Sequence, residues 1–248
     1  MKKHPKQDFF SLQEWPKGVA ERQAYVDPIF TDIARRYDLM SRLFSLGMLE
    51  GWRRKTVALI PRNNPRRILD LASGTGEFPL HLRQAGFEAP IVGLDRNSSM
   101  LAVAREKCSG LSQVTFIPAD LMHIPLRDRS FDVITMGYGL RYPADIPGIL
   151  REAFRLLGRG GTFVAMDFGL PGNLLYRRIC FGYLLCFGSL VGLLLHRKAD
   201  TYWHIVESLR VYPGQQAVKQ WLEETGFVEV RMQELFGGII VIHRGVRP

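Results

Sequence analysis

The fold is decided by the stretch Leu69-Asp70-Leu71-Ala72-Ser73-Gly74-Thr75-Gly76-Glu77, which joins a short apolar run to a helical segment. Gly74 and Gly76 allow the backbone to approach a ligand closely and to adopt dihedral angles that a Cβ atom disfavours. The helix that follows offers free N–H groups at its N-terminus to a negatively charged group. No third glycine completes a G-x-G-x-x-G motif, so on the glycines alone a purely structural turn remains an alternative.

This loop lies within an alternation of apolar runs and helical segments that begins at Arg66. The predicted strands are Arg66–Leu71, Ile91–Asp95, Val114–Ile117, Phe131–Met136 and Thr162–Phe168. The predicted helices are Glu77–Ala85, Ser98–Cys108 with Ser98 as its N-cap, and Ile146–Leu157, which is ended by Gly158 and Gly160. Such alternation is typical of βαβ units, in which a parallel sheet carries helices on both faces.

The C-terminal part departs from this alternation. A helix over Gln215–Thr225 precedes two strands, Phe227–Leu235 and Ile239–Arg244, which are joined by Phe236-Gly237-Gly238. Because this connection is so short, the two strands form an antiparallel hairpin. The sequence therefore predicts an α/β protein with a Rossmann-like, doubly wound, mostly parallel seven-stranded sheet that ends in an antiparallel hairpin strand.

Two helical regions lie outside the sheet pattern. We expect residues 1–24 to form a flexible basic arm and residues 25–248 to form a single domain. Within this domain, residues 25–60 would be a helical N-terminal cap and residues 174–210 an apolar, helical lid insertion. In a doubly wound fold such additions usually cover the carboxyl ends of the strands, where ligands bind.

Composition narrows the class of protein. The 248 residues suffice for one large domain. The formal net charge of +9 is equally compatible with an anionic partner and with a surface whose charge only maintains solubility. The cysteines, Cys108, Cys180 and Cys186, form no C-x-x-C or Cys/His cluster, so we expect no metal and a reducing compartment. The basic N-terminus lacks the apolar run of a signal peptide.

Acidic residues follow successive predicted strands. Asp95 could accept hydrogen bonds from both hydroxyls of a ribose, and Asp120 could accept one from an adenine amino group. Asp70 could accept from an ammonium group beside the glycine loop. The remaining candidate cofactor residues are Ala72, Ser73, Gly74, Gly76, Arg96, Asn97, Met100 and Leu121, of which Met100 and Leu121 could sandwich the adenine ring. Each aspartate alone could be a helix N-cap, but the set together predicts a nucleoside-containing cofactor.

Several further segments carry a family resemblance. They are Phe30–Met40 with its Y-D-x-M element, Ser45–Gly47, Trp52-Arg53, Leu94–Leu101, Ile124–Leu126, Ser130–Asp132, Gly139-Leu140-Arg141, Asp200–Tyr202, Glu207-Ser208, Gly226-Phe227 and His243-Arg244-Gly245. From Tyr25 onward the chain resembles the ubiquinone/menaquinone biosynthesis C-methyltransferases, which are class I enzymes with one antiparallel strand at the C-terminal end of the sheet. The resemblance implies S-adenosylmethionine (SAM) as cofactor, S-adenosylhomocysteine as product, no metal, and a demethylated polyprenyl quinol as acceptor.

The resemblance also implies catalytic candidates. Arg141 would stabilise a phenolate, while Tyr37, Tyr202 and His204 would hold or deprotonate the acceptor hydroxyl. Each has a structural alternative: Arg141 could pair with Asp145 or Asp167, Tyr37 could pack the cap, and His204 could be a satisfied buried histidine.

Three positions depart from the family pattern. Ser41 and Tyr142 stand where the family has Asn, and His204 stands where Tyr is common. All three lie on the acceptor side, so the resemblance implies methyl transfer more firmly than it implies the acceptor.

The segment Ile179–Leu195 carries no charged side chain, while Arg177, Arg178, Arg197 and Lys198 flank it. A transmembrane helix is not expected, because it would separate residues 201–248 from the sheet that they complete. A buried lid and a lid that also touches the bilayer are compatible interpretations. We expect peripheral membrane contact through residues 174–198 in a cytoplasmic protein attached to the inner (cytoplasmic) membrane. No sequence feature decides the oligomeric state, and a homodimer is one option.

Other functions remain open at this point. The alternative enzyme is an N- or O-methyltransferase that acts on a phospholipid amine or a secondary metabolite. A membrane-attached subunit without activity is disfavoured by the intact glycines and aspartates. A nucleic-acid partner is not expected, because the chain has no N-P-P-[YF] motif and its basic residues are spread along the sequence.

Overall fold

A computed structural model describes residues 15–248. The strands are β1 (Ile68–Leu71), β2 (Ile91–Asp95), β3 (Val114–Pro118), β4 (Phe131–Gly137), β5 (Leu157–Phe168), β6 (Val228–Leu235) and β7 (Ile240–Val246). The helices are α1 (Val19–Ile33), α2 (Tyr37–Phe44), α3 (Leu49–Ala58), α4 (Glu77–Gln84), α5 (Ser98–Lys107), α6 (Ile146–Leu156), α7 (Leu174–His196), α8 (His204–Val211) and α9 (Gln215–Thr225). Short 3₁₀ turns span Ala34–Arg36, Ala199–Tyr202 and Phe236–Gly238.

The seven strands form one sheet in the order β3-β2-β1-β4-β5-β7-β6. The pairs among β1 to β5 are parallel, whereas β7 runs antiparallel to both β5 and β6. This arrangement confirms the predicted doubly wound sheet with its C-terminal hairpin. The reversal of strand order beside β1 places the glycine loop at the point where a doubly wound fold binds its ligand.

Side-chain alternation along the central strands builds a core on each face of the sheet. Leu69 and Leu71 of β1 pack with α6 and α9 side chains such as Leu150 and Leu222. Ile68, which directly precedes Leu69, points to the opposite face and packs with residues of α3 and α4. Because both faces are covered, the strands are apolar along almost their whole length.

Two local predictions were wrong. Asn97, not Ser98, is the N-cap of α5, since its side chain accepts hydrogen bonds from the N–H groups of Ser99 and Met100. Strand β5 begins at Leu157 rather than Thr162, because the backbone extends through Gly158 and Gly160 instead of ending in a loop. The glycines end helix α6 as expected, but they continue directly as strand.

The cap and the lid pack together over the carboxyl ends of the strands. Side chains of the cap, including Met40 and Phe44, share a core with Leu184 of α7 and Ile205 of α8. Residues 15–24 do not form the flexible arm that the sequence predicted for residues 1–24, because Trp15 is buried and α1 begins at Val19. Residues 1–14 of that arm lie outside the described part.

Helix α7 is long enough and apolar enough to cross a membrane, judged by length and composition alone. Only 22% of its most apolar 18-residue segment is buried inside the protein. The chain returns to the domain on both sides of this helix. Gly169 donates a hydrogen bond to the carbonyl of Ile239 before α7, and strand β7 pairs with β5 after it. Helix α7 therefore lies along the surface of the domain.

Candidate active site

A cavity of about 1250 Å³, including its open mouth, lies at the carboxyl ends of β1, β2 and β4. It is lined by the predicted cofactor residues Asp70, Ala72, Ser73, Gly74, Asp95, Arg96, Asn97, Met100, Asp120 and Leu121. We call this space the cofactor cavity. These predicted residues, which lie as far apart in sequence as Asp70 and Leu121, thus come together in the wall of a single cavity.

Gly76 is the one predicted cofactor residue that does not line the cofactor cavity. Its φ angle is 82°, and a Cβ there would lie 3.1 Å from Cys108 Sγ and 3.2 Å from Phe116 Cζ. Gly76 is therefore required by backbone conformation and by packing beneath the loop, not by a close approach to ligand. Gly74, in contrast, has open space around its missing Cβ and faces the cavity.

Asp95 organises the glycine loop from the end of β2. Its Oδ2 atom accepts a hydrogen bond from Gly74 N at 2.8 Å, and Oδ1 accepts one from Asn97 N at 2.8 Å. Burial raises the pKa of this carboxyl. Because each carboxylate oxygen can accept a second hydrogen bond, both remain able to receive ribose hydroxyls.

Asp120 is held by two parts of the chain. Its Oδ1 atom accepts from Met122 N at 2.9 Å, and Oδ2 accepts from Gln23 Nε2 at 2.9 Å. Gln23 belongs to α1, so this helix reaches the end of the cofactor cavity that the sequence assigned to adenine. Met100 and Leu121 lie in the wall of the same cavity.

Asp70 supplies the clearest test of whether the cavity fits SAM. The residue is 1% exposed at the end of β1, and its Oδ1 atom accepts a hydrogen bond from Thr135 Oγ1 at 2.7 Å. Its Oδ2 atom has no hydrogen-bond partner among the described residues. Burial raises the pKa of this carboxyl to about 7. An unpaired buried carboxylate oxygen is costly, and the ammonium of a methionine-type cofactor would pair with it. The residues therefore fit SAM.

A second cavity, of about 1120 Å³ with its mouth, adjoins the first. Its wall is mainly apolar and aromatic, and among the described residues that line it only Arg141 carries a formal charge. Tyr37, Tyr138 and Tyr142 line both cavities, so these three rings stand between them. We call the second space the acceptor cavity.

Arg141 is buried at the wall of the acceptor cavity. Of the two carboxylates considered from the sequence, it pairs with Asp167, whose Oδ1 lies 2.5 Å from Nη1, and not with Asp145. Its Nη2 atom donates to the hydroxyl of Tyr142 at 2.5 Å, and its Nε atom has no partner among the described residues. Arg141 Cζ also lies 4.2 Å from the Tyr142 ring centroid. The side chain thus combines an anchored charge with one unused donor.

His204 lines the same cavity and is 2% exposed. Its Nδ1 atom lies 3.0 Å from the carbonyl oxygen of Thr201, which can only accept, so Nδ1 carries the proton and Nε2 is left as an acceptor. Burial and, to a smaller extent, the nearby Arg141 cation together lower the pKa of His204 to about 3. The imidazole is therefore neutral at physiological pH.

The structure separates the two tyrosines that the sequence grouped as catalytic candidates. Tyr37 lies between the cavities, and burial raises its pKa. Tyr202 is fully buried among cap and lid residues, lines neither cavity, and shares a hydrogen bond of 2.9 Å with His196 Nε2. Its position gives it a role in packing the lid.

Sequence reasoning missed several residues of the cofactor cavity. They include Arg22, Gln23, Arg53, Thr75, Glu77 and Tyr138. Tyr138 has a positive φ of 57°, and Ala72 has one of 51°, so the backbone adopts a strained conformation at the points where β4 and β1 end at this cavity. Thr75 belongs to the glycine loop and Arg53 to the Trp52-Arg53 segment, and these two segments were the signal by which the residues could have been found. Within residues 15–248, no group of three or more His, Cys, Asp or Glu side chains could hold a metal ion.

Comparison with known proteins agrees with this geometry. The profile of the ubiE/COQ5 methyltransferase family matches residues 18–247. The ubiquinone/menaquinone biosynthesis C-methyltransferase UbiE of Azotobacter vinelandii is 34% identical over 243 residues, covering 96% of this chain and 95% of that protein. The UbiE protein of Ectopseudomonas mendocina is 33% identical over 243 residues, covering 96% and 94%.

A solved structure supports the fold independently. An SAM-dependent methyltransferase from Thermotoga maritima, described as a possible histamine N-methyltransferase, superposes with a TM-score of 0.64. It is 18% identical and covers 90% of this chain and 99% of that chain, so the likeness concerns the fold alone. The family profile and the relatives show that the chain belongs to the ubiE/COQ5 methyltransferase family and is an SAM-dependent methyltransferase.

Proposed function

We propose that this enzyme transfers the methyl group of SAM to a ring carbon of a demethylated polyprenyl quinol of the ubiquinone or menaquinone type. The observation that carries the proposal is the pair of adjoining cavities with Tyr37, Tyr138 and Tyr142 between them. A sulfonium methyl is already a strong electrophile, so the enzyme has mainly to align it with the acceptor carbon and exclude water. A cofactor cavity that adjoins an apolar cavity at three aromatic rings can both align the methyl group with the acceptor carbon and exclude water.

Arg141 supplies the electrostatic part of this mechanism. A hydroquinone ring carbon becomes a strong nucleophile when a ring hydroxyl loses its proton, which leaves a phenolate. The guanidinium is fixed by Asp167 and retains an unpartnered Nε donor, so it can stabilise that negative charge without reorganising. SAM held in the cofactor cavity would supply the methyl group to that carbon and leave as S-adenosylhomocysteine, and the ring would regain aromaticity when its C–H proton passes to solvent.

His204 orients the acceptor by a hydrogen bond and does not remain protonated by the acceptor hydroxyl. With Nδ1 held by Thr201, its Nε2 atom can accept a hydrogen bond from the acceptor hydroxyl. Burial lowers the pKa of His204 to about 3, so the ring does not retain a proton. Tyr37, which lines both cavities, is the second residue that we assign to holding the hydroxyl.

The charge of the acceptor cavity argues against a phospholipid amine as acceptor. An amine is cationic until it loses a proton, and burying that cation in an apolar cavity beside another cation, with no carboxylate to pair with it, is costly. Among the described residues that line this cavity, Arg141 carries the only formal charge, and it is positive. Such a wall favours an acceptor that becomes anionic, as a quinol does.

The mouth of the acceptor cavity provides a route for an isoprenoid tail. Leu46, Ile179 and Phe236 line the cavity and are also 68%, 60% and 55% exposed. Ile179 begins an apolar stripe that continues along α7 through exposed Leu190 and Leu194. We assign this stripe to a peripheral contact with the cytoplasmic membrane, from which the tail of the acceptor enters the cavity.

The charged residues that flank α7 suit the same contact. Arg177 and Arg178 lie near its N-terminus, while Arg197 and Lys198 follow its C-terminus. Cations at both ends of an apolar face favour anionic headgroups. The excess positive charge of the chain, +9, is then attributed to an anionic lipid surface rather than to nucleic acid.

The experiment that tests the acceptor is a methyl-transfer assay with purified enzyme and radiolabelled SAM. Demethylated ubiquinols, demethylmenaquinols and phosphatidylethanolamine are offered separately in detergent. We expect label in a quinol and none in the lipid amine. Label in phosphatidylethanolamine alone would transfer the assignment to N-methylation and contradict the role given to Arg141.

A further inference from the structure

A network of ion pairs connects the cap to the glycine loop. Arg53 of α3 pairs with Glu77, the first residue of α4, through Nη1 and Oε2 at 2.5 Å. Glu77 also pairs with Lys107 of α5, which in turn pairs with Asp38 of α2. Asp38 accepts a hydrogen bond from the hydroxyl of Thr75 in the glycine loop at 2.6 Å. The network thus fixes Arg53 beside the start of α4.

Arg53 differs from the other cation of this network because it lines the cofactor cavity, whereas Lys107 does not. Its side chain is 5% exposed, and its two carboxylate contacts, with Glu77 and Glu50, both go through Nη1. No described residue accepts a hydrogen bond from its Nε or Nη2 atoms. A planar guanidinium with unused donors in a cavity wall is suited to bind a carboxylate in bidentate fashion.

Arg53 also lies near the group that was assigned to the ammonium end of the cofactor. Burial raises the pKa of Asp70, and the Arg53 guanidinium opposes that rise. Asp70 and Arg53 therefore present opposite charges to the same cavity. An α-amino acid is a zwitterion, and a wall with one carboxylate and one guanidinium complements both of its charges.

The start of α4 needs this cation if an anion is to bind there. A helix N-terminus attracts negative charge, but the side chain of Glu77 already places a carboxylate at that position. A second carboxylate would meet repulsion that the helix alone does not offset. Arg53 and Lys107 both pair with Glu77, and of these two cations only Arg53 lines the cavity and retains donors for the incoming group.

We propose that Arg53 binds the carboxylate of the amino-acid end of SAM, while Asp70 binds its ammonium. The backbone N–H groups of the glycine loop and α4 then complete the carboxylate site instead of forming it alone. This inference concerns the cofactor cavity only, so it does not depend on which acceptor the enzyme methylates.

The test compares two ligands that differ only in the carboxylate: S-adenosylhomocysteine and its decarboxylated analogue. Calorimetry gives the dissociation constant of each ligand for the wild-type enzyme and for Arg53→Met. We expect the wild-type enzyme to prefer S-adenosylhomocysteine by at least about tenfold, and Arg53→Met to bind the two ligands with nearly equal affinity. Because the acceptor is absent, failure of the quinol assay would not affect this result.

Lys107→Met is the matched control, because it removes a cation from the same network but none from the cavity wall. It should retain the wild-type preference for the carboxylate. Arg53→Lys keeps the charge without the planar fork and should reduce the preference, which provides a second variant if Arg53→Met does not fold. An undiminished preference in either Arg53 variant, or an equal loss of both ligands, would overturn the proposal.

Discussion

At the scale of single residues, Asp95 combines loop organisation with a binding role. Its two oxygens hold Gly74 N and Asn97 N, and they face the cofactor cavity. Asp95→Ala should weaken SAM binding by at least about tenfold, because the ribose loses its acceptors and the loop loses its anchor. Calorimetry with S-adenosylhomocysteine measures this effect, and a melting curve of the variant confirms that the fold persists. Unchanged affinity would refute the ribose assignment.

Asp70 makes cofactor binding dependent on pH. Its pKa of about 7 means that the free enzyme loses the carboxylate charge as the pH falls below 7. The ammonium of the cofactor needs that charge, so affinity for S-adenosylhomocysteine should rise between pH 6 and pH 8, with release of a proton on binding. Calorimetry in buffers of different ionisation enthalpy measures both quantities. In Asp70→Asn the rise should disappear, and its persistence would assign the titration to another group.

Arg141 acts on the acceptor and not on the cofactor. Arg141→Lys keeps a positive charge near Asp167 but removes the Nε donor and the planar contact with Tyr142. Turnover should fall by about 10²-fold, while the affinity for S-adenosylhomocysteine stays within about twofold. Steady-state kinetics and calorimetry on the same preparation distinguish the two. A parallel loss of both would indicate that Arg141 only supports the structure.

At the scale of elements, α7 has two functions on its two faces. Leu184 packs into the core, whereas Leu175, Ile179, Leu190 and Leu194 recur at intervals of about one or three turns on the exposed face. The double change Leu190→Glu and Leu194→Glu should weaken binding to vesicles with anionic lipid by at least about tenfold, because two exposed leucines that would enter the bilayer are replaced by charges. Turnover of a short-tailed quinol in detergent should remain unchanged.

Val228→Glu is the control for that prediction. Val228 is 45% exposed on β6 at the edge of the sheet, so the substitution replaces an apolar surface residue outside α7 with the same charged side chain, at one position instead of two. Vesicle co-sedimentation should show no loss for this variant. If the α7 variant bound vesicles as the wild-type enzyme does, the membrane contact would lie elsewhere.

Elements whose identity depends on local sequence could be predicted, and those that depend on tertiary packing could not. The strands and the glycine loop were identified because buried parallel strands are apolar runs that end at glycine or aspartate. Helix α1 was partly assigned to an arm, because its start is polar and Pro28 lies inside it. The burial of Trp15 against Tyr25 and Tyr142 depends on contacts across the chain, which no local pattern shows.

The same distinction holds at the scale of the whole molecule. Cofactor residues follow successive strands, so the parallel sheet itself brings them together at one edge. The acceptor cavity is formed between the cap, the lid and the end of β4, and the sequence could not tell which lid residues face inward. For example, His204 lines the acceptor cavity, whereas Tyr202, two positions earlier, is buried among cap and lid residues and does not line it.

Two adjoining cavities that direct a methyl group onto a carbon atom should yield a product in which the transferred carbon is bonded to the ring. The enzyme would be incubated with SAM that carries a ¹³C methyl group and with a demethylated polyprenyl quinol, and the product examined by carbon NMR. We predict a single enriched signal at the position of an aryl methyl carbon. Enrichment at a methoxy carbon, with none on the ring, would contradict the account and identify the enzyme as an O-methyltransferase.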